Sequence, residues 1–143
     1  MKDGLKVTGN LKFYKNGELV REEKNLVVNT GLNVIAERLA GVVKAAVSHM
    51  AIGTGTTAAN AADIGLEILK VARIPATSVV VTAGAIVITA TFLGSIYAAA
   101  ITEAGLFNHL TTGELISRVV FAPYTLGSSD ALTITWTITF ANA

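Results

Sequence analysis

Few residues in this chain have the types and spacing that chemistry needs. Gly53-Thr54-Gly55 comes nearest, because consecutive backbone N–H groups between small residues can cradle an anion. A phosphate loop also requires Gly-Lys-Ser/Thr opening a helix, and no lysine follows here. The stretch reads instead as a turn whose glycines permit unusual backbone angles. His49 and His109 are the only histidines, and neither has a partner at metal-ligand spacing; the one metal arrangement on offer would combine both with Glu103. Glu103 is a lone acid after a long uncharged run. A carboxyl in apolar surroundings can serve as a general acid, but no second carboxylate stands nearby in sequence. The structural reading is that Glu103 accepts backbone hydrogen bonds or pairs with Arg73 or Arg118, fixing the turn before Gly105. Ser48, Ser78, Ser95, Ser117, Ser128 and Ser129 lack a nucleophile-elbow context. The sequence gives no reason to expect an enzyme, a metal site or a cofactor.

The elements that would position these residues are written in an unusual alphabet. From Ile74 to the last residue, the only side chains ionised at neutral pH are Glu103, Glu114, Arg118 and Asp130. Threonine, alanine and glycine replace charge between Val, Ile, Leu and Phe. Leu132, Ile134, Trp136, Ile138 and Phe140 alternate with Thr133, Thr135, Thr137 and Thr139, which puts the two sets on opposite faces of a strand. Free soluble domains usually dress outer strand faces with Lys and Glu. A threonine face can instead be covered by a neighbour without stranding a charge, so the chain reads as one built to be packed into something larger.

Bulk properties narrow the partners. With 143 residues the chain is expected to form a single domain, 1–143, large enough to hold a real core. There is no cysteine and the net charge is +1, with basic and acidic residues mixed before Ala45, so no nucleic-acid partner is expected. No signal peptide is visible, since Met1-Lys2-Asp3-Gly4 leads into alternating sequence. The uncharged run from Ile74 to Thr102 is long enough to span a bilayer. Pro75, Gly84, Gly94 and its β-branched residues make it two buried strands instead, and no membrane association is expected.

A strand of alternating residues from Leu5 to Phe13 leads into Lys15-Asn16-Gly17-Glu18, a hairpin turn in which Asn-Gly accepts positive φ. The chain returns over about 19–28. One short helix near residues 31–41 follows, capped by Asn29 or Thr30, with an apolar stripe of Leu32, Ile35, Ala36 and Leu39 and a stop at Gly41. Further strands are expected near 45–52, 67–74, 77–82, 85–93, 96–103, 114–121 and 131–140. No internal repeat is visible. The fold class is therefore all-β: an antiparallel β-sandwich, jelly-roll-like, with an N-terminal β-hairpin and one helix.

The order of the segments carries a resemblance. Asn29-Thr30-Gly31-Leu32 opens the helix, Ala51-Ile52-Gly53-Thr54-Gly55 follows, then Leu66-Glu67 and Arg73. Ile101-Thr102-Glu103-Ala104-Gly105-Leu106-Phe107 and Gly113-Glu114-Leu115-Ile116 come next, before a last strand ending near Phe140. This is similar to tail-collar and tail-fibre proteins of bacteriophages, where A-[IV]-G-x-G precedes a Leu, an Arg and then [IL]-x-E-x-G-L-[FY]. It also resembles capsid cement or decoration proteins, small cysteine-poor β-sandwiches that bind over seams between capsid subunits. The chain stops at Ala143 without a fibre shaft, which favours the second comparison.

The resemblance implies a virion structural protein on the exterior of the capsid, assembled in the host cytoplasm. Its partner would be the major capsid protein, and it would form a homo-oligomer, dimer or trimer. A tail-collar, neck or tail-fibre module involved in host attachment is the alternative. Candidate assembly contacts are the loop residues Gly53, Thr54, Gly55, Thr56 and Thr57, the turn residues Leu126, Gly127 and Ser128, and Asn16 and Gly17 of the hairpin.

Overall fold

The N-terminal alternation and its Asn-Gly turn build the hairpin that begins the fold. In the computed structural model, which describes residues 4–142, β1 (Leu5–Lys15) pairs antiparallel with β2 (Glu18–Val27). The pairing closes at Lys15 opposite Glu18, with Asn16 and Gly17 at φ 49° and 89°, as a two-residue hairpin turn requires. Residues 1–3 and 143, the ends of the expected 1–143 domain, lie outside the described residues.

The remaining elements are α1 (Asn29–Leu39), β3 (His49–Gly53), β4 (Ile74–Pro75), β5 (Ser78–Thr82), β6 (Ala85–Leu93), α2 (Gly94–Tyr97), β7 (Ala99–Phe107), β8 (Leu115–Leu126) and β9 (Ala131–Asn142). The strands form one sheet in the order β4-β3-β7-β8-β2-β1-β9-β6-β5, with antiparallel neighbours throughout. The chain is thus mostly antiparallel β, as expected, in one strongly curled sheet, a half-barrel. Strand β2 makes the sheet continuous. Residues up to Asn25 pair with β1, and Leu26 and Val27 then pair with Arg118 and Ser117 of β8. Ile74–Pro75 and Ser78–Thr82, the two ends of the sheet order, are nearly consecutive in the chain.

The period-two pattern sets the core. Leu132, Ile134, Trp136 and Ile138 of β9 point inward and are buried, as are Leu11 and Phe13 of β1 and Ile88, Ala90 and Phe92 of β6. The other half of the sheet meets them with Met50, Ile52, Ile101, Leu106, Val119 and Phe121. Phe13 joins the halves, its ring edge-on to Phe121 at 5.0 Å and to Tyr124 at 5.8 Å. Phe140, expected on the same face, is only partly buried.

Several expected elements differ from the observed ones. The helix begins at Asn29, earlier than the expected 31–41, so Asn29 and Thr30 lie inside it and no side chain caps it: the Thr30 hydroxyl donates to the Leu115 carbonyl at 2.6 Å instead. Its buried residues are Gly31 and Val34, with Ile35 packed against the core, while Leu39 of the expected stripe is 89 % exposed. Docking through the first turn against β8 rotates the expected stripe away. Gly41, at φ 77°, follows its end as expected. The strand expected near 45–52 is shortened to His49–Gly53. The one expected near 67–74 keeps a single bridge at Leu69 and the pair Ile74–Pro75. Gly94–Tyr97 forms a helical turn before β7, so that strand begins at Ala99 rather than near Ile96. Among the described residues no helix is long and apolar enough to cross a membrane.

Trp136 is fully buried on β9, between β1 and β6. Trp136→Ala should cost about 3–5 kcal/mol, read as a shift in the urea midpoint. A loss below about 1 kcal/mol would mean that this face lies outside the core.

Candidate functional site

Glu103 sits in the middle of β7, opposite Gly53 of β3 on one side and Val120 of β8 on the other. Its carboxylate is fully buried and accepts four donors. Oε2 takes the N–H groups of Gly55 at 2.7 Å and Ile68 at 2.8 Å; Oε1 takes the N–H of Glu67 at 3.0 Å and Nε of Arg118 at 3.1 Å. This is why residues 67–74 do not form the expected strand: their first donors bond to a side chain instead of a ladder. A buried ionised carboxylate is tolerated when it is paired and fully hydrogen-bonded, and both conditions hold here.

Arg118, on β8, extends the brace. Its other nitrogens reach Asp63 at 2.8 Å and the Thr57 carbonyl at 3.0 Å. Asp63 in turn accepts the Asn60 N–H at 2.9 Å. Glu67 accepts the N–H groups of Thr56 at 2.8 Å and Thr57 at 3.0 Å, together with the Thr57 hydroxyl. The Thr102 hydroxyl donates to the Gly55 carbonyl at 2.6 Å. Three carboxylates and one guanidinium thus hold the segment from Thr54 to Ile68, which has no strand or helix of its own. At Gly55 an added methyl would overlap the Glu103 carboxylate and the Glu67 side chain, so the loop needs glycine for closeness of approach.

The charges are tuned by these contacts. Burial opposes the charge on Arg118, but hydrogen bonds to Asp63 and Glu103 outweigh it and raise its pKa. Burial likewise opposes ionisation of Asp63, and the Asn60 N–H and Arg118 overcome it to leave the pKa lowered. The Thr57 hydroxyl and the Thr57 and Thr56 N–H groups lower that of Glu67.

Segments that are far apart in the sequence meet here. Glu103 holds Gly55 and Glu67. Leu66 packs over Gly105, where a side chain would bring Cβ to 2.8 Å from Leu66 Cδ2. The Arg73 guanidinium lies 3.6 Å from the centre of the Phe107 ring and donates to the carbonyls of His109 at 3.0 Å and Thr112 at 2.7 Å. Of the two partners proposed for Glu103, the structure selects Arg118. The segment Glu103 fixes is the 54–68 loop rather than a turn before Gly105, which itself lies inside β7.

The candidate contacts fall into two groups. Asn16 and Gly17 lie beside the turn after Leu126: the Asn16 N–H donates to the Ala131 carbonyl at 3.0 Å and its Oδ1 accepts the Ala131 N–H at 2.9 Å. Lys15 approaches Asp130 at 3.7 Å. Leu126 is buried there, with Gly127 half-buried and Ser128 exposed. In the other group Gly53 and Gly55 are buried inside the brace, Thr54 is half-buried, and Thr56 and Thr57 are exposed. The groups attach to β7 at different levels, Leu126 opposite Ala99 and Gly53 opposite Glu103.

His109 Nδ1 accepts the N–H groups of Thr111 and Thr112, both at 3.2 Å, and His49 Nδ1 lies 2.7 Å from the Ser48 hydroxyl. Among the described residues no three His, Cys, Asp or Glu side chains gather to hold a metal ion. Sequence reasoning missed Asp63 and the bracing role of Glu67. The spacing Asn60-x-x-Asp63 is a turn signature that marks the first; Glu67 has no comparable local signal. Comparisons with protein-family models, curated proteins and solved structures return no match.

Glu103→Ala should destabilise the protein by about 3–5 kcal/mol, because it leaves Arg118 buried beside several unpaired N–H groups. Chemical denaturation measures this, and a loss under about 1 kcal/mol would remove the brace from the stability account. Acid should act in two windows. His49 has its pKa lowered by burial, so the unfolded chain binds the proton first and stability begins to fall as pH drops below about 6.5. Asp63, Glu67 and Glu114 have lowered folded pKa values; their contribution is complete above their unfolded values, about 3.8–4.5, and is lost as pH falls through the folded ones. Thermal midpoints measured from pH 8 to 3 should show the larger drop at the acid end.

Proposed function

We propose that the chain is a structural protein of a bacteriophage virion. It binds on the exterior of the capsid between major capsid proteins and stabilises the DNA-filled head. The observation that carries this reading is the outer face of β9, β6 and β5. In register across the three strands lie Thr135, Thr89 and Ser78, then Thr137, Val87 and Val80, then Thr139, Ala85 and Thr82. Thr133 and Thr91 complete the rows, their hydroxyls 2.8 Å apart. No ionisable residue interrupts this face. A neighbouring subunit can cover it while desolvating hydroxyls and methyls rather than charges.

Stabilisation would work by mass action. A protein that binds the assembled lattice and not free subunits shifts the equilibrium toward the lattice. Standard interfaces bury about 800 Å² per partner, and the braced 54–68 loop offers a second contact whose ordering entropy is already spent on folding. In this reading the facing halves of the curled sheet act as the two leaves of a jelly-roll-like sandwich. The chain assembles in the host cytoplasm as a dimer or trimer, and needs neither nucleic acid nor membrane.

The second reading, a tail-collar, neck or fibre module that serves host attachment, draws on the convergence of the motif pieces around Glu103 and Arg73. Quantitative mass spectrometry of purified particles separates the two. A copy ratio near one to the major capsid protein is expected for the head, and stripping the protein should lower the temperature at which heads release DNA. A few copies per particle, in threes or sixes, with unchanged head stability, would contradict the head assignment.

A further inference from the structure

The half-barrel leaves an opening beside its last strand. Val79 and Val81 of β5 point to the inner side of the sheet yet are 45 % and 76 % exposed, while Ile88, paired with Val79, is fully buried. Below them lies an apolar cavity of about 270 Å³, whose far wall is α1 and whose floor includes Ile138 and Phe140. Val34 of α1 lines it. Arg38, one turn further along the same helix face, supplies its only charged group.

Arg38 is placed to receive an anion. One of its nitrogens donates to the Lys44 carbonyl at 3.0 Å, and it has no carboxylate partner among the described residues. The nearby acids are engaged elsewhere: Glu114 lies 2.6 Å and Glu37 3.6 Å from the Lys44 ammonium. A planar guanidinium with spare donors matches a carboxylate through paired hydrogen bonds. The apolar space behind it suits a hydrocarbon chain. An apolar cavity of about 150 Å³ accepts the six carbons of benzene, so this one has room for roughly eight to ten.

We propose that the cavity between α1 and β5 binds a medium-chain carboxylate, its chain inside and its carboxylate on Arg38. The site is independent of the virion assignment. Titration calorimetry of the full chain with hexanoate, octanoate, decanoate and dodecanoate, below micelle-forming concentrations, tests it. Affinity should rise about fourfold per added methylene until the cavity fills near ten carbons. Decanol and decyltrimethylammonium should bind at least about tenfold more weakly than decanoate, the margin expected from a charge-assisted hydrogen bond.

Arg38→Leu should abolish the preference for carboxylate over alcohol. Ala46→Phe, at an exposed position on the cavity lining, should block every ligand while leaving the thermal midpoint unchanged. Absence of saturable binding by the wild-type chain would overturn the proposal. So would an intact preference in Arg38→Leu, or undiminished binding in Ala46→Phe. Light scattering provides the remaining arm: a wild-type dimer that decanoate neither binds nor dissociates would mean that a second copy covers the cavity instead.

Discussion

The buried carboxylate of Glu103 is the constraint on which this architecture depends. Strand β3 ends at Gly53, and about twenty residues separate it from β4, with a single bridge at Leu69 between them. A segment of that length without strands or helices would normally leave its buried N–H groups unpaired or stay mobile. Glu103 collects three of those N–H groups at one point inside the sheet, and Arg118 carries the charge balance outward to Asp63. Side chains here take the place that a sheet ladder holds elsewhere.

The same economy governs the other charges of the second half. After Arg73 the chain has four ionised side chains, and each ties back to the first half. Glu103 holds Gly55, Glu67 and Ile68; Glu114 pairs with Lys44; Arg118 reaches Asp63; Asp130 meets Lys15 and Asn16. Charge is used for pinning the chain rather than for dressing its surface. Uncharged strand faces are the consequence, and they leave the outer side of β9, β6 and β5 free to be covered. The proposed lattice contact rests on that uncharged face.

How much of this was legible depended on the range of the interaction involved. Period-two alternation places Trp136 and its neighbours inward and the threonines outward, because that pattern depends only on neighbouring residues. The Asn16-Gly17 turn is equally local, since backbone sterics alone select it. The helix stripe failed because a short helix takes its orientation from what it docks against: Gly31 and Val34 meet β8, and Leu39 is left in solvent. The strand expected near 67–74 failed for a longer-range reason. Its residues have strand-like chemistry, but the N–H groups of Glu67 and Ile68 are claimed by a carboxylate some 35 positions away. The isolation of Glu103 marked it as a candidate for backbone hydrogen bonds and for Arg118; which loop it would hold depended on the fold.

Native-state amide exchange is the most direct measurement of this account. If Glu103 organises the loop, the N–H groups of Gly55, Glu67 and Ile68 should exchange as slowly as those of β7 and β8, through global unfolding alone. Their exchange at the rates of an open surface loop, while β7 and β8 stay protected, would contradict the claim that the carboxylate holds this part of the fold.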